Sequence, residues 1–160
     1  VQSTPGNKAK LLHRVAPDGY TVEFFLTKID EIIEAQESLI PFDDPVGWSD
    51  WIKRGVESGG LSYATVFVNG NAVGFVTWVI ENSGRVPELL ISSASITSFP
   101  DGLDFADLIT TFGIKICRQT NVEHMRFHTA RKGLVKKCLN LGWRASEVVM
   151  RMKIPAQIKL

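Results

Sequence analysis

The stretch YATVFVNGNAVGFVTWVI constrains the fold more than any other part of the chain. Residues 63–68 and 72–80 have the β-branched and aromatic content of strands, and Asn69-Gly70 between them accepts the positive φ values that a two-residue hairpin turn requires. An antiparallel pair is therefore expected here. In LDFADLITTFGIKICRQT, Phe105, Leu108, Ile109, Phe112 and Ile116 fall at steps of three and four, with Asp104 placed to cap the start of an amphipathic helix. Strand-like segments flank that helix at 88–98 (ELLISSASITS) and 122–129. A helical crossover of this length is what parallel neighbours need, so a mixed sheet with helices on both faces follows.

The remaining segments fit the same plan. Residues 20–26 (YTVEFFL) follow an Asp18-Gly19 turn signal and read as the first strand. Thr27 and Asp30 resemble a capping box for a helix that Pro41 ends, and Trp48, Trp51, Ile52 and Val56 mark one face of a second, short helix stopped by Gly59-Gly60. Residues 132–141 form a basic amphipathic helix closed by Gly142, and 145–154 alternate as a last strand. The predicted order is β-α-α-β-β-β-α-β-α-β. Residues 1–19, His13 among them, read as a flexible N-terminal tail, 20–154 as one α/β domain and 155–160 as a C-terminal tail.

Charge excludes some functions. Eighteen Lys and Arg against seventeen Asp and Glu leave a net charge of +1, so no global field attracts nucleic acid or anionic lipid. Arg131, Lys132, Lys136 and Lys137 then read as a solvated helix face. No segment is long and apolar enough to cross a bilayer, and the opening VQSTPGNK lacks the apolar core of a signal peptide, which predicts a soluble, intracellular, cytoplasmic protein. Cys117 and Cys138 lack metal-ligand spacing and read as buried thiols, with no metal site expected.

The element order, together with HTARKGLVKKCLNLGW running into RASEVVMRMKI, resembles the GNAT superfamily of acyl-CoA-dependent N-acyltransferases over residues 20–154. The resemblance implies a gap where the strand 88–98 and its parallel neighbour splay apart, with an acyl-thioester entering beside Ile96 and Thr97. It also implies that the loop SFPDGLDFADLI would hold the cofactor's diphosphate. The family places a Gln or Arg there, then a Gly three residues on, then a Gly or Ala two further on. Those positions are Phe99, Gly102 and Asp104, of which only Gly102 conforms. Three acids, Asp101, Asp104 and Asp107, suit a capped helix start better than a bound polyanion.

Other family positions depart as well. Counting back four from Gly142, where the family often has a proton-donating tyrosine, reaches Cys138, either an acid for the departing thiolate or a packed structural thiol. Arg131 stands where an Asn often opens that helix. Glu88, Glu147 and His128 are alternative general bases, while His124, Arg126 and His128 share a strand face that reads first as solvated. Trp48 and Trp51 either wall a substrate groove or pack on the sheet, and Asp43-Asp44 either attracts a cationic amine or starts a turn.

The first reading is thus a GNAT-fold protein with a degenerate site, serving as a structural or interaction module in an assembly with other proteins. Its Arg131-Lys132-Gly133-Leu134 helix start and Gly142-Trp143 turn resemble GNAT-like proteins of bacteriophages, some of them virion-associated. The alternative is an acetyl-CoA-dependent N-acyltransferase acting on a small-molecule amine, with Glu88 and Cys138 catalytic and Ile96, Thr97, Gly102 and Arg131 binding the cofactor. Without activity, no cofactor is expected.

Overall fold

The computed structural model describes residues 10–26, 45–82, 86–96, 100–129 and 131–156. The helix predicted over 27–40, the pair Asp43-Asp44 and Thr97 lie outside them. Contacts group the chain into two compact units, Val1–His128 and Thr129–Leu160.

In the first unit six strands form one sheet in chain order: β1 (Lys10–Val15), β2 (Val22–Leu26), β3 (Ser62–Val68), β4 (Asn71–Glu81), β5 (Glu88–Ile96) and β6 (His124–Arg126). All neighbours are antiparallel except β5 and β6, which are parallel, with helix α2 (Phe105–Thr120) as their crossover. Helix α1 (Pro45–Glu57) precedes β3. The β3–β4 turn has Asn69 at φ 48° and Gly70 at φ 81°, the two positive values that the dipeptide predicts. Asn69 also pins the start of β2: its N–H donates to the Thr21 carbonyl at 2.8 Å and its Oδ1 accepts from the Thr21 N–H at 2.9 Å.

One sheet face packs on α2. Val22, Phe24, Val66, Val76, Trp78, Leu89 and Ile91 from the strands meet Leu108, Ile109, Phe112 and Ile116, the helical stripe read from the sequence. Phe112 stacks on Phe24 with centroids 4.3 Å apart and takes the edge of Trp78 at 5.2 Å. Such pairs add about 0.5–1.5 kcal/mol each beyond the area they bury. The opposite face carries α1, whose Ile52 is buried with Leu61 and Phe75, with Val56, Tyr63 and Val79 packed around them.

Two differences from the sequence reading have physical causes. Residues 10–19 are not a tail: Lys10–Val15 pairs with β2, and Pro17–Gly19 forms a 3-10 turn. The strand escapes a search for alternation because Leu12 is an extra residue between the pairs Leu11↔Phe25 and His13↔Phe24, and because its buried residue is a histidine. In the second unit, α3 (Lys132–Asn140) ends as predicted: the Gly142 and Trp143 N–H groups donate to Leu139 and Cys138 carbonyls, the paired bonds of a Schellman turn. Residues 145–154, however, carry neither strand nor helix, and Val148, Met150, Met152 and Ile154 are exposed. Alternation describes a strand's two faces but supplies no hydrogen bonds; those need a neighbouring strand.

Candidate active site

The site begins where two strands part. β5 and β6 pair only over Glu88↔His124, Leu89↔Met125 and Leu90↔Arg126, whereas β5 continues along β4 to the pair Gly74↔Ile96. Beyond Leu90, no strand among the described residues lies on that edge of β5. A bulge sits beside the parting: Thr77 opposes Ser93 and Trp78 opposes Ile91, leaving Ser92 as the extra residue. Bulges bend a strand and re-aim side chains. Here both Ser92 and Ser93 hydroxyls reach Thr77 Oγ1, Ser92 at 2.7 Å.

Facing this hydroxyl cluster, a cavity of about 500 Å³ lies between α1 and the sheet, lined by Trp51, Arg54, Leu61, Glu81, Leu90 and Ser92 among others. Glu81, at the end of β4, stands directly opposite Glu88 in the β4–β5 register. Like charges so placed repel. Arg126 of β6 resolves the conflict by bridging both: its Nη2 bonds Glu81 Oε2, and its Nε lies 3.1 Å from Glu88 Oε2, a charge contact without hydrogen-bond alignment. His128 Nε2 lies 3.4 Å from Arg126 Nη1. Of this cluster Glu81 alone reaches the cavity lining, where it shares the wall with Arg54 of α1.

The loop before α2 has different chemistry. Gly102, at φ 87°, makes the turn that lets Leu103 N–H donate to the Pro100 carbonyl at 3.2 Å, and Tyr20 Oη donates to the Asp101 carbonyl at 3.3 Å. Asp104 caps α2, its Oδ1 accepting from the Ala106 N–H at 2.9 Å, and Asp107 occupies the first turn. A helix start attracts phosphates through bare N–H groups. Here a carboxylate already takes one of them. Among its described residues, 100–107, this loop carries three acids and no cationic or amide side chain.

The expected site residues fall in different places. Glu88 opens β5 and belongs to the Arg126 cluster; Ile96 ends β5; Gly102 shapes the acidic turn. In the second unit, Arg131 is the N-cap residue of α3 with no side-chain cap bond, and Cys138 is buried on that helix. Neither cysteine forms a disulfide, and burial pushes the Cys117 thiol above its usual pKa. Among the described residues no group of three potential metal ligands occurs, and no helix is long and apolar enough to cross a membrane. Trp51 is 53% exposed and lines the cavity, the groove alternative for that residue. Arg126 and His128 lie on the solvated-stripe face as read, but Arg126 is engaged. Glu147 is exposed. Glu81, Thr77 and Ser92 were missed. Their one sequence signal is a polar residue interrupting an apolar strand, Thr77, Val79 and Glu81 sharing a face at steps of two.

No family model matches the chain, and no curated protein matches its sequence. Solved structures do share its architecture. A Pyrococcus furiosus protein assigned as an acetyl transferase superposes with a TM-score of 0.66 at 14% identity, over 84% of this chain and 99% of the other. A Clostridium acetobutylicum protein predicted to be an acetyltransferase, solved with acetyl-CoA, gives 0.61 at 7% identity over 84% and 96%. The aminoglycoside N-acetyltransferase AAC(6')-Iy, solved with the bisubstrate analogue CoA-S-monomethyl-acetylneamine, gives 0.55 at 14% identity over 86% and 99%. At such identities the likeness concerns the fold, and the fold of this chain is that of the GNAT acetyltransferases.

Proposed function

We propose that the chain is an acetyl-CoA-dependent N-acyltransferase acting on a small cationic amine. The observation that carries this reading is the coincidence of three features: parted β5 and β6, a bulged hydroxyl-lined β5, and a cavity beside them at whose wall Arg126 holds the carboxylate of Glu81. Solved neighbours that hold acetyl-CoA or a CoA-aminoglycoside analogue support the same choice of donor and acceptor class.

Acyl-CoA would supply an acyl group activated as a thioester. Glu81 is the residue we assign as general base, because it lines the cavity whereas Glu88 does not. It takes a proton from the acceptor ammonium, directly or through one water, and frees the nitrogen lone pair. Arg126 holds Glu81 in place from the next strand but one, and Glu88 shares that guanidinium as a positioning residue. Unclaimed backbone N–H groups on the parted edge of β5 are the oxyanion donors in this reading. Cys138 remains the thiol at the family's tyrosine position, a role that rests on the resemblance.

The acidic loop favours a second reading, a GNAT-fold module that no longer binds the donor and serves in an assembly; its phage and virion association rests on the resemblance alone. Calorimetry with acetyl-CoA and CoA separates the two. Micromolar binding supports the enzyme, and no binding up to millimolar concentration removes it. With a binding-competent protein and a panel of amines, Glu81→Gln is expected to lower kcat by about a hundredfold or more, the usual share of a general base. Unchanged turnover would reject Glu81 as the base.

A further inference from the structure

The sheet face opposite the carboxylate cavity carries a second groove, of about 530 Å³, lined by His13, Thr111, Ile114, Lys115, Arg118 and Gln119. The α2 residues stand at steps of three and four, so their side chains project from one helical face toward β1. Two cations and an amide converge there, and neither Lys115 nor Arg118 has an ion-pair partner among the described residues. His13 adds an independent observation. It is 9% exposed, its ring contacts Phe24 and Phe112 at 5.7 and 6.1 Å, and its Nε2 is buried without a hydrogen-bond partner. A buried polar nitrogen without a partner costs free energy, and a ligand that supplies the partner recovers it.

We infer that this groove binds a compact dianion, a phosphate monoester or a small dicarboxylate, through Lys115, Arg118 and the imidazole of His13. The chemistry is shared by the two ligand types: doubly charged, oxygen-rich and small enough to touch all three side chains. Among the described residues, Glu23, the acid on the neighbouring strand, is held by Arg14 at 2.7 Å. His13 is held below its ordinary pKa, first by burial and then by the positive charge of Lys115, so a bound dianion would offset the second cause and draw a proton onto the ring. Asp104 and Lys115 are separated by about 16 Å along α2 at 1.5 Å per residue, which sets the groove apart from the acidic loop.

The test follows the His13 imidazole by NMR in the full chain while inorganic phosphate or succinate is added at ionic strength fixed with chloride. Saturable shifts at His13 are expected with at least one of the two, identifying the preferred class, together with a rise of about one unit in its titration midpoint. By linkage the same ligand then binds about tenfold more tightly below the midpoint than above it. Lys115→Gln with Arg118→Gln should weaken binding at least tenfold; single Lys115→Gln and Arg118→Gln variants serve if the double variant fails to fold. Absence of saturation with both anions overturns the proposal, as does affinity unchanged in a folded Gln variant.

Discussion

Replacing Asp104 by Ala should move stability and cofactor affinity in opposite directions. The carboxylate accepts the Ala106 N–H at 2.9 Å and caps a 16-residue helix that carries much of the core. Loss of such a cap costs about 1 kcal/mol, or about 3 °C in melting temperature for a chain of this length. The same change releases a helix-start N–H and removes one of three acids from the loop. A like-charge pair a few Å apart in water costs about 1 kcal/mol, so CoA should bind about fivefold more tightly. Asn caps as well as Asp, hence Asp104→Asn should keep the melting temperature and still tighten CoA. Calorimetry with CoA, with pantetheine as a control lacking the diphosphate, and a thermal melt of each variant measure both effects. The reasoning fails if either variant binds CoA no better than the parent, or if pantetheine gains equally.

Two further outcomes follow from the core. A Cβ on Gly113 would lie 2.7 Å from Met125 Sδ and 3.6 Å from Ile91 Cδ1, so Gly113→Ala should overpack the α2–β6 contact. A net loss of about 1 kcal/mol in denaturant unfolding is expected after the better helix propensity is counted, with recovery in a Met125→Ala background. His13 is held below its ordinary pKa of 6.5 by burial and Lys115, so between that value and its lower folded midpoint the unfolded chain binds more protons. Stability should therefore fall as pH drops from about 7 through that window, and His13→Phe should flatten the dependence in urea melts. A slope that persists in the variant would assign it to other groups.

Local chemistry and the pairing that a single connection dictates were legible in the sequence; pairing and contacts set by the rest of the sheet were not. Asn69-Gly70 and Asp104 act within a few residues of themselves, and the structure has the turn and the cap as read. The α2 crossover made the parallel β5–β6 pair a consequence of chain geometry. β1 was hidden because its bulge breaks the two-residue period and a histidine fills its buried position. Glu81 was hidden because its meaning comes from Arg126, 45 residues away, and from Glu88 across a register set by the Ser92 bulge. No window of sequence contains that relation. The alternation at 145–154 misled for the converse reason: its pattern is local, and a strand is not.

The Arg126 cluster joins these observations into one physical claim. Glu81 and Glu88 face each other across an antiparallel pair, an arrangement that costs stability, and the chain offsets it with a guanidinium from β6 just where β5 and β6 cease to pair. Glu81 and Glu88 remain 37% and 42% exposed at their side chains, so the ion pairs contribute at most about 1 kcal/mol each to folding. A purely structural solution would place Val or Thr at these strand ends and need no arginine. Glu81, kept at the cavity wall and partly solvated, is the group that would accept the proton of an ammonium under the proposed function. Acidic residues thus occupy both ends of the candidate site, and under the proposed function they would act in opposite ways: at the cavity Glu81 would serve a cationic acceptor, while at the α2 cap Asp104 would weaken the grip on an anionic donor.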